Sequence, residues 1–152
     1  MILNCRDMPW AVGKPFINLL QDVIRAAGLM GVTSGAVVTF KEPDYHKYSG
    51  EYHPIEIAVN EEGKIQYIAQ FALFGAPPNV VLKKDIEFDF CFKRFHHARR
   101  LLSIHLGEEA YKEWEEYFIN CYECGLYKIE VLEWVECTMY TNERWRDDLV
   151  YM

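Results

Sequence analysis

Between residues 37 and 92 the chain carries two alternating segments around a polar, aromatic loop and then a third, and their period of two is the side-chain period of a β-strand. Residues 36–41 are rich in β-branched side chains, and residues 55–59 alternate cleanly. A polar turn ending in glycine follows at residues 60–63. Residues 64–74 then carry apolar side chains on both faces, which predicts a central strand covered by a helix. This stretch therefore predicts an antiparallel sheet.

The strongest alternation lies in residues 85–92. A strand, unlike a helix, lines up the apolar residues of this segment on one face: Ile86, Phe88, Phe90 and Phe92. The opposite face then carries three carboxylates: Asp85, Glu87 and Asp89. Because buried, unpaired carboxylates are very costly, we predict that this acidic face meets water or a cation.

Two segments have helical spacing. Residues 14–28 place a proline in the first turn and a glycine at the end. Residues 107–124 begin with two glutamates, which favour the helix dipole, and Gly125 suits the position after the helix. The inward stripe of this helix is Ala110, Trp114, Phe118 and Cys121. Residues 96–106 predict a loop and a short strand, and residues 127–131 a last strand, so the fold class is α+β.

The composition limits the classes of protein to which the chain can belong. At 152 residues the chain predicts a single domain, with a core over residues 14–135 and a C-terminal extension over residues 136–152. A net charge of −7 argues against nucleic-acid binding, which needs clustered Lys and Arg. The sequence shows no signal peptide and no apolar run long enough for a membrane span. With five irregularly spaced cysteines, these features predict a cytoplasmic protein with reduced thiols.

Two cysteine and histidine motifs offer little chemistry. Cys121 and Cys124 form a C-x-x-C at a predicted helix C-terminus, where the dipole disfavours thiolate. A zinc site would need two more ligands, and neither a second C-x-x-C nor an H-x₃₋₅-H is present. His96 and His97 would point to opposite faces of a strand. We therefore predict no metal, no cofactor and no catalytic residues.

The loop over residues 43–56 is a stronger candidate for function. Its tyrosines, histidines and carboxylates are the side chains that recognise polar ligands or partner surfaces. The alternative is a structural loop whose tyrosines cover the end of the sheet. The candidate binding residues of this loop are Asp44, Tyr45, His46, Tyr52, His53 and Glu56.

The loop also carries a family resemblance. The pattern F-x-x-P-x-Y, from Phe40, followed by G-x-Y-H-P-I-E-I, from Gly50, resembles a family of small bacterial proteins of unknown function. The similarity covers residues 16–131; Gln70 stands where an aspartate is expected, and the chain after residue 131 is an extension. The resemblance implies an antiparallel sheet with the N-terminal and C-terminal helices packed on one face. That fold is similar to the acidic mitochondrial-matrix glycoprotein family, known for multiligand binding and ring-like trimers.

Three functional hypotheses follow. The first is a non-enzymatic protein-binding or assembly module that uses the acidic strand face together with the loop, with self-association as one form of partnership. The second is a small-molecule binder or small enzyme in which His53 and Glu56 handle protons, although residues three apart on a strand face opposite sides. The third is a fold stabilised by metal at Cys121 and Cys124.

Overall fold

The structure is a computed structural model that describes residues 2–28, 34–43 and 53–134. Within these ranges the helices are α1 (Lys14–Ala26) and α2 (Glu108–Glu123), with a short 3-10 helix (Ile104–Gly107) before α2. The strands are β1 (Gly35–Lys41), β2 (Ile55–Val59), β3 (Ile65–Phe74), β4 (Val81–Asp89), β5 (Arg94–His97), β6 (Arg100–Ser103) and β7 (Lys128–Trp134).

The strands form one sheet in the order β6-β5-β4-β3-β2-β1-β7, and each neighbouring pair is antiparallel. Residues facing the helices alternate along the strands as predicted, with Ile55, Ile57 and Val59 in the main core beside Phe16 and Phe118. Both helices contribute to this core, so they pack on the same face of the sheet. The α+β class with an antiparallel sheet is confirmed.

The helix ends follow their sequence signals. Gly28 has a φ of 79° just after α1, and Gly125 has a φ of 73° just after α2. The two helices are tied together where α1 begins, because the Gly13 amide donates a hydrogen bond of 3.1 Å to Glu115 Oε2. The Tyr111 hydroxyl donates to the same oxygen at 2.6 Å. Glu115 thereby satisfies a backbone donor that α1 leaves free at its start.

The strand predicted over residues 85–92 is shifted toward the N-terminus. It runs Val81–Asp89, so Phe92 falls beyond its end and is 51% exposed. A register irregularity also interrupts β4, because Gln70 pairs with Ile86 while the next residue of β3 pairs with Lys84. Asp85 is the extra residue of this bulge. The bulge removes Asp85 from the regular alternation with Glu87 and Asp89.

The segment over residues 96–106 is more regular than predicted. It contains the hairpin of β5 and β6, with Ala98 and Arg99 as the two turn residues at φ 51° and 63°. A turn of this type usually carries Asn-Gly, so the sequence lacked the usual hairpin signal. The predicted extension, residues 136–152, lies outside the described residues.

The face of the sheet away from the helices also carries a buried cluster. Its members are Val37, Ala58, Tyr67, Ala69, Phe71, Leu82 and Trp134. Small residues alternate here with large aromatic ones, so the second face is apolar at its centre rather than uniformly acidic.

Candidate functional site: a cleft between helix α2 and the sheet

One row of side chains crosses the helix-facing side of the sheet and ends in a polar group. Along it Phe40 pairs with Ile55, Ile55 with Gln70, Gln70 with Ile86, and Ile86 with His97. Side chains paired across neighbouring strands share a face. The row is therefore apolar on β1 and β2 and becomes polar at Gln70 and His97.

Helix α2 supplies the second wall of this region. Ala110, Glu113, Trp114 and Tyr117 follow the spacing of one helix face and line a cleft of about 330 Å³ opposite the sheet. From the sheet side, the lining residues are His53, Gln70, Asp85, Ile86 and His97. We call this space the His53 cleft.

Gln70 and Asp85 form the polar floor of the His53 cleft. Gln70 is 9% exposed, and its Nε2 donates a hydrogen bond of 3.3 Å to Asp85 Oδ2. Its Oε1 is buried, and no donor reaches it from the described part of the chain. Buried polar atoms are normally hydrogen-bonded, so this oxygen lacks the partner that such an acceptor usually has.

The indole of Trp114 is the second group with unused hydrogen-bonding capacity in this lining. Trp114 is 4% exposed, and its buried Nε1–H has no acceptor within the described ranges. The lining thus contains both an unused acceptor and an unused donor.

His53 lies half-buried two residues before β2 and is held from two sides. The Tyr127 hydroxyl donates a hydrogen bond of 3.1 Å to its carbonyl oxygen, and its ring centroid lies 6.3 Å from that of Tyr117. Burial lowers the pKa of the His53 imidazole from 6.5, and the nearby charge of Asp85 partly offsets that decrease. The lowered pKa favours the neutral imidazole.

The structure separates the other predicted site residues from this cleft. Glu56 lies on the opposite face of β2, fully buried, where its Oε2 accepts a hydrogen bond of 2.8 Å from the Tyr67 hydroxyl. His53 and Glu56 are therefore not a proton-handling pair, as their spacing on a strand indicated.

Glu87 and Asp89 also lie on that second face, and each meets a cation. Glu87 pairs with Lys84 at 3.0 Å, and Asp89 lies 3.5 Å from Arg94. Asp89 Oδ1 also accepts a hydrogen bond of 2.9 Å from the Phe92 amide. Both carboxylate side chains are only 13% exposed. The acidic strand pattern is accordingly compensated within the fold.

The remaining loop candidates, Asp44, Tyr45, His46 and Tyr52, lie outside the described residues. Of the predicted binding residues, the structure thus brings His53 and Asp85 into one cleft. Gln70, Glu113 and Tyr117 were not predicted as site residues. Residues 110, 113, 114 and 117 share one helix face, and this spacing could have indicated Glu113 and Tyr117 as site residues. A helix face of mixed polarity is, however, usually exposed to solvent.

The cysteine and histidine motifs are arranged as their spacing indicated. Cys121 is buried in α2 and Cys124 is exposed just after it. Burial raises the pKa of the Cys121 thiol, which disfavours the reactive thiolate. His97 faces the His53 cleft while His96 pairs with Glu87 on the other face. Within the described ranges, no three His, Cys, Asp or Glu side chains are arranged to hold a metal ion.

Comparison with known proteins places the chain among uncharacterised bacterial relatives. A family model described as "Protein of unknown function (DUF2787)" matches residues 14–132. A hypothetical protein from the VSP-II pathogenicity island of Vibrio cholerae has a TM-score of 0.68 and 27% identity, covering 80% of this chain and 93% of its own. A conserved hypothetical protein from the VPI-2 island of the same species has a TM-score of 0.63 and 26% identity, covering 80% and 94%.

The second of these structures is described as sharing structural homology with the human P32 protein. The predicted resemblance, to a bacterial family of unknown function with a fold like the acidic matrix glycoproteins, is therefore confirmed. No curated protein matches the sequence. Neither described helix is long and apolar enough to cross a membrane.

Proposed function

The chain belongs to the DUF2787 family, and we propose that it is a non-enzymatic protein-binding module that holds a basic side chain of its partner in the His53 cleft. The observation that carries this proposal is the buried Gln70 Oε1, an acceptor with no donor in the described part of the chain. A guanidinium or ammonium group supplies several donors and no acceptor, so its hydrogen-bonding groups complement this oxygen.

The charges around Gln70 favour the same ligand. The carboxylates of Asp85 and Glu113 line the cleft, and the lowered pKa of His53 favours its neutral ring. The described lining contains no Lys or Arg that would neutralise these two carboxylates. A cation entering here would gain charge-assisted hydrogen bonds and displace no competing positive group.

The aromatic residues provide the remaining contacts. Tyr117 and Trp114 line the wall on α2, and an arginine or lysine packs favourably against such rings. The unused indole donor of Trp114 matches a peptide carbonyl. A peptide bearing a basic residue offers both the side-chain donors and the main-chain acceptor, whereas a simple cation offers only the donors.

A likeness of fold gives the binding role further support. One structural neighbour is described as sharing structural homology with the human P32 protein, and we carry over from the acidic matrix glycoproteins only the general capacity to bind other proteins. A net charge of −7 increases the association rate with a basic partner at low ionic strength. A second copy of the chain is one candidate partner, which native mass spectrometry tests directly.

The proposal is tested with short synthetic peptides measured by isothermal titration calorimetry. We compare a fixed sequence carrying one central arginine with the same sequence carrying glutamine, and include free arginine as a small-molecule comparator. We expect the arginine peptide to bind and the glutamine peptide to bind at least about tenfold more weakly, because charge-assisted hydrogen bonds are lost.

Glu113→Gln is the matched test variant and Glu116→Gln its control on the same helix, since Glu116 is exposed and does not line the cleft. Only Glu113→Gln should weaken binding of the arginine peptide. Equal binding of both peptides, or equal loss in both variants, would contradict the proposal. Free arginine binding as tightly as the peptide would replace a protein partner with a small cationic ligand.

A further inference from the structure

A second cleft lies at the other side of Asp85 and has the opposite charge. It has a volume of about 510 Å³ and is lined by Lys83, Lys84 and Arg99, together with His96. Asp85 is the one carboxylate among the described lining residues. The chain has a net charge of −7, so three cationic side chains around one cleft make this part of the surface more positive than the average.

We propose that this cleft, which we call the Arg99 cleft, binds a phosphate monoester. Lys83 and Arg99 are exposed, and in the described part of the chain neither side chain makes a salt bridge or a hydrogen bond. Arginine presents a planar fork of donors that matches phosphate oxygens, and lysine adds a mobile point charge.

Lys84 and Asp85 are each already engaged. Lys84 Nζ lies 3.0 Å from Glu87 Oε2, and Asp85 Oδ2 accepts the Gln70 amide on the side of the His53 cleft. Lys83 and Arg99 therefore leave an excess of positive charge for an anion. Asp85 sets one boundary of the ligand position, because an anionic group is repelled from it.

His96 provides an observation independent of the charges. Its Nδ1 is buried and has no hydrogen-bond partner in the described ranges, although His96 lines the Arg99 cleft. A phosphate oxygen is a strong acceptor, and it would pair with Nδ1 in the tautomer of His96 that carries the proton there. A ligand oxygen near His96 would therefore satisfy a group that the fold leaves unpaired.

The backbone fixes Arg99 at this place. Ala98 and Arg99 occupy the left-handed region at φ 51° and 63°, in a two-residue turn between β5 and β6. Side chains with a Cβ are disfavoured there, and glycine or asparagine is the usual choice. The turn places Arg99 at a position with a strained backbone, and from there its side chain lines the cleft.

The size of the cleft and one aromatic residue indicate an organic phosphate rather than the bare ion. A volume of about 510 Å³ is in the range of small-molecule sites. Phe74 lines the same cleft and offers an apolar surface for the organic part of the ligand.

The test is a titration of the ¹⁵N-labelled full chain, followed by NMR, with phenyl phosphate as the probe. We expect saturable shifts at the amides of Ala98, Arg99 and Lys83, with tighter binding than inorganic phosphate or benzoate. Equal binding of benzoate would overturn the assignment to phosphate. If inorganic phosphate bound equally tightly, the inference that the ligand carries an organic group would be overturned.

The test variant is the double substitution Lys83→Gln with Arg99→Gln, and the control is Arg100→Gln. Arg100 sits in the same hairpin but pairs with His97, on the helix-facing row. We expect at least about tenfold weaker binding in the double variant and no change in the control. Lys83→Arg should retain binding because the charge is kept.

Equal loss in Arg100→Gln and the double variant, or no saturable binding by the unchanged chain, would overturn the proposal. Both test residues are exposed, so the thermal midpoint of the double variant should match that of the unchanged chain. The double variant should still bind the arginine peptide, so a failure here is distinguishable from failure of the proposed function.

Discussion

The two clefts on either side of Asp85 are built from adjoining segments of the same strands and have opposite chemistry. The His53 cleft combines carboxylates with aromatic rings, and its floor is a buried amide with an unused acceptor. The Arg99 cleft combines Lys83, Lys84 and Arg99 with an unused imidazole nitrogen. The bulge at Asp85 allows one carboxylate to line both.

The difference shows how a single irregularity separates two environments. In a regular strand Asp85 would alternate with its neighbours and lie on the face of Glu87. The bulge instead lets it accept a hydrogen bond from Gln70, which faces the helices, while Lys83 and Lys84 line the other cleft. A change at Asp85 should therefore affect both clefts, in opposite directions.

Asp85→Lys is expected to have the largest effect. Replacing the shared carboxylate by an ammonium group should weaken arginine-peptide binding more than about 100-fold, or about 3 kcal/mol, because an attractive charge becomes repulsive. The same change should tighten phenyl phosphate binding. Calorimetry with both probes measures the two effects in one variant.

The control for this reversal is Asp22→Lys, which makes the same charge change at an exposed position on α1. It should leave both affinities within about twofold, since surface charges at a distance are screened by salt. If Asp85→Lys changed both probes in the same direction, the two clefts would not be electrostatically distinct.

Gln70→Leu should have the next largest effect. It removes the acceptor Oε1, and with it the amide that donates to Asp85, while keeping a side chain of similar size, so arginine-peptide binding should fall about tenfold, or about 1.4 kcal/mol. Phenyl phosphate binding should be unchanged, because Gln70 does not line the Arg99 cleft. An unchanged peptide affinity in calorimetry would show that this acceptor plays no part in binding.

Tyr117→Leu tests the aromatic wall of the His53 cleft. Loss of the ring should cost about 1 kcal/mol of arginine-peptide affinity, the typical size of a cation–π contact. Tyr117→Phe keeps the ring and should bind as the unchanged chain does. Equal weakening in both variants would assign the effect to the hydroxyl instead.

The pH dependence should give the smallest effect. The pKa of His53 is lowered from 6.5, so the folded protein binds fewer protons at this residue than the unfolded chain between that lowered pKa and 6.5. The free energy of unfolding should therefore fall as pH decreases through this window. Arginine-peptide binding should weaken in the same range, because a protonated imidazole repels the ligand.

His53→Gln should reduce both dependences, measured by urea unfolding and calorimetry between pH 7 and 5. His105→Gln is the control, since His105 is exposed and lies outside the His53 cleft. A pH profile identical in His53→Gln and the unchanged chain would assign the titration to another group.

Much of the fold could be predicted because its signals are local. The helix ends at Gly28 and Gly125 and the alternation of residues 55–59 each depend on a few neighbouring residues. The hairpin of β5 and β6 was missed in part because Ala98 and Arg99 are unusual turn residues. The strand at residues 85–92 was shifted because its ends depend on pairing with β3 and β5, which the local pattern does not contain.

The candidate site was predicted only in part. His53 and Asp85 were selected for their chemistry. The strand spacing correctly predicted that His53 and Glu56 face opposite sides. Gln70 was noted as a departure from the family pattern, but nothing in the sequence indicated that its oxygen lacks a donor. Glu87 and Asp89 looked like a free acidic face because their cations, Lys84 and Arg94, were not identifiable as partners.

The sequence pattern alone therefore predicted the antiparallel sheet and the two helices, because apolar periodicity expresses which side of each element must leave water. The packing of both helices on one face was implied by the family resemblance. Tertiary structure decided which polar groups meet. The bulge at Asp85 and the register that aligns Gln70 with His97 across β4 depend on pairing between strands distant in sequence. The two clefts exist because those pairings place carboxylates, cations and unpaired donors and acceptors together, and no local pattern specifies that placement.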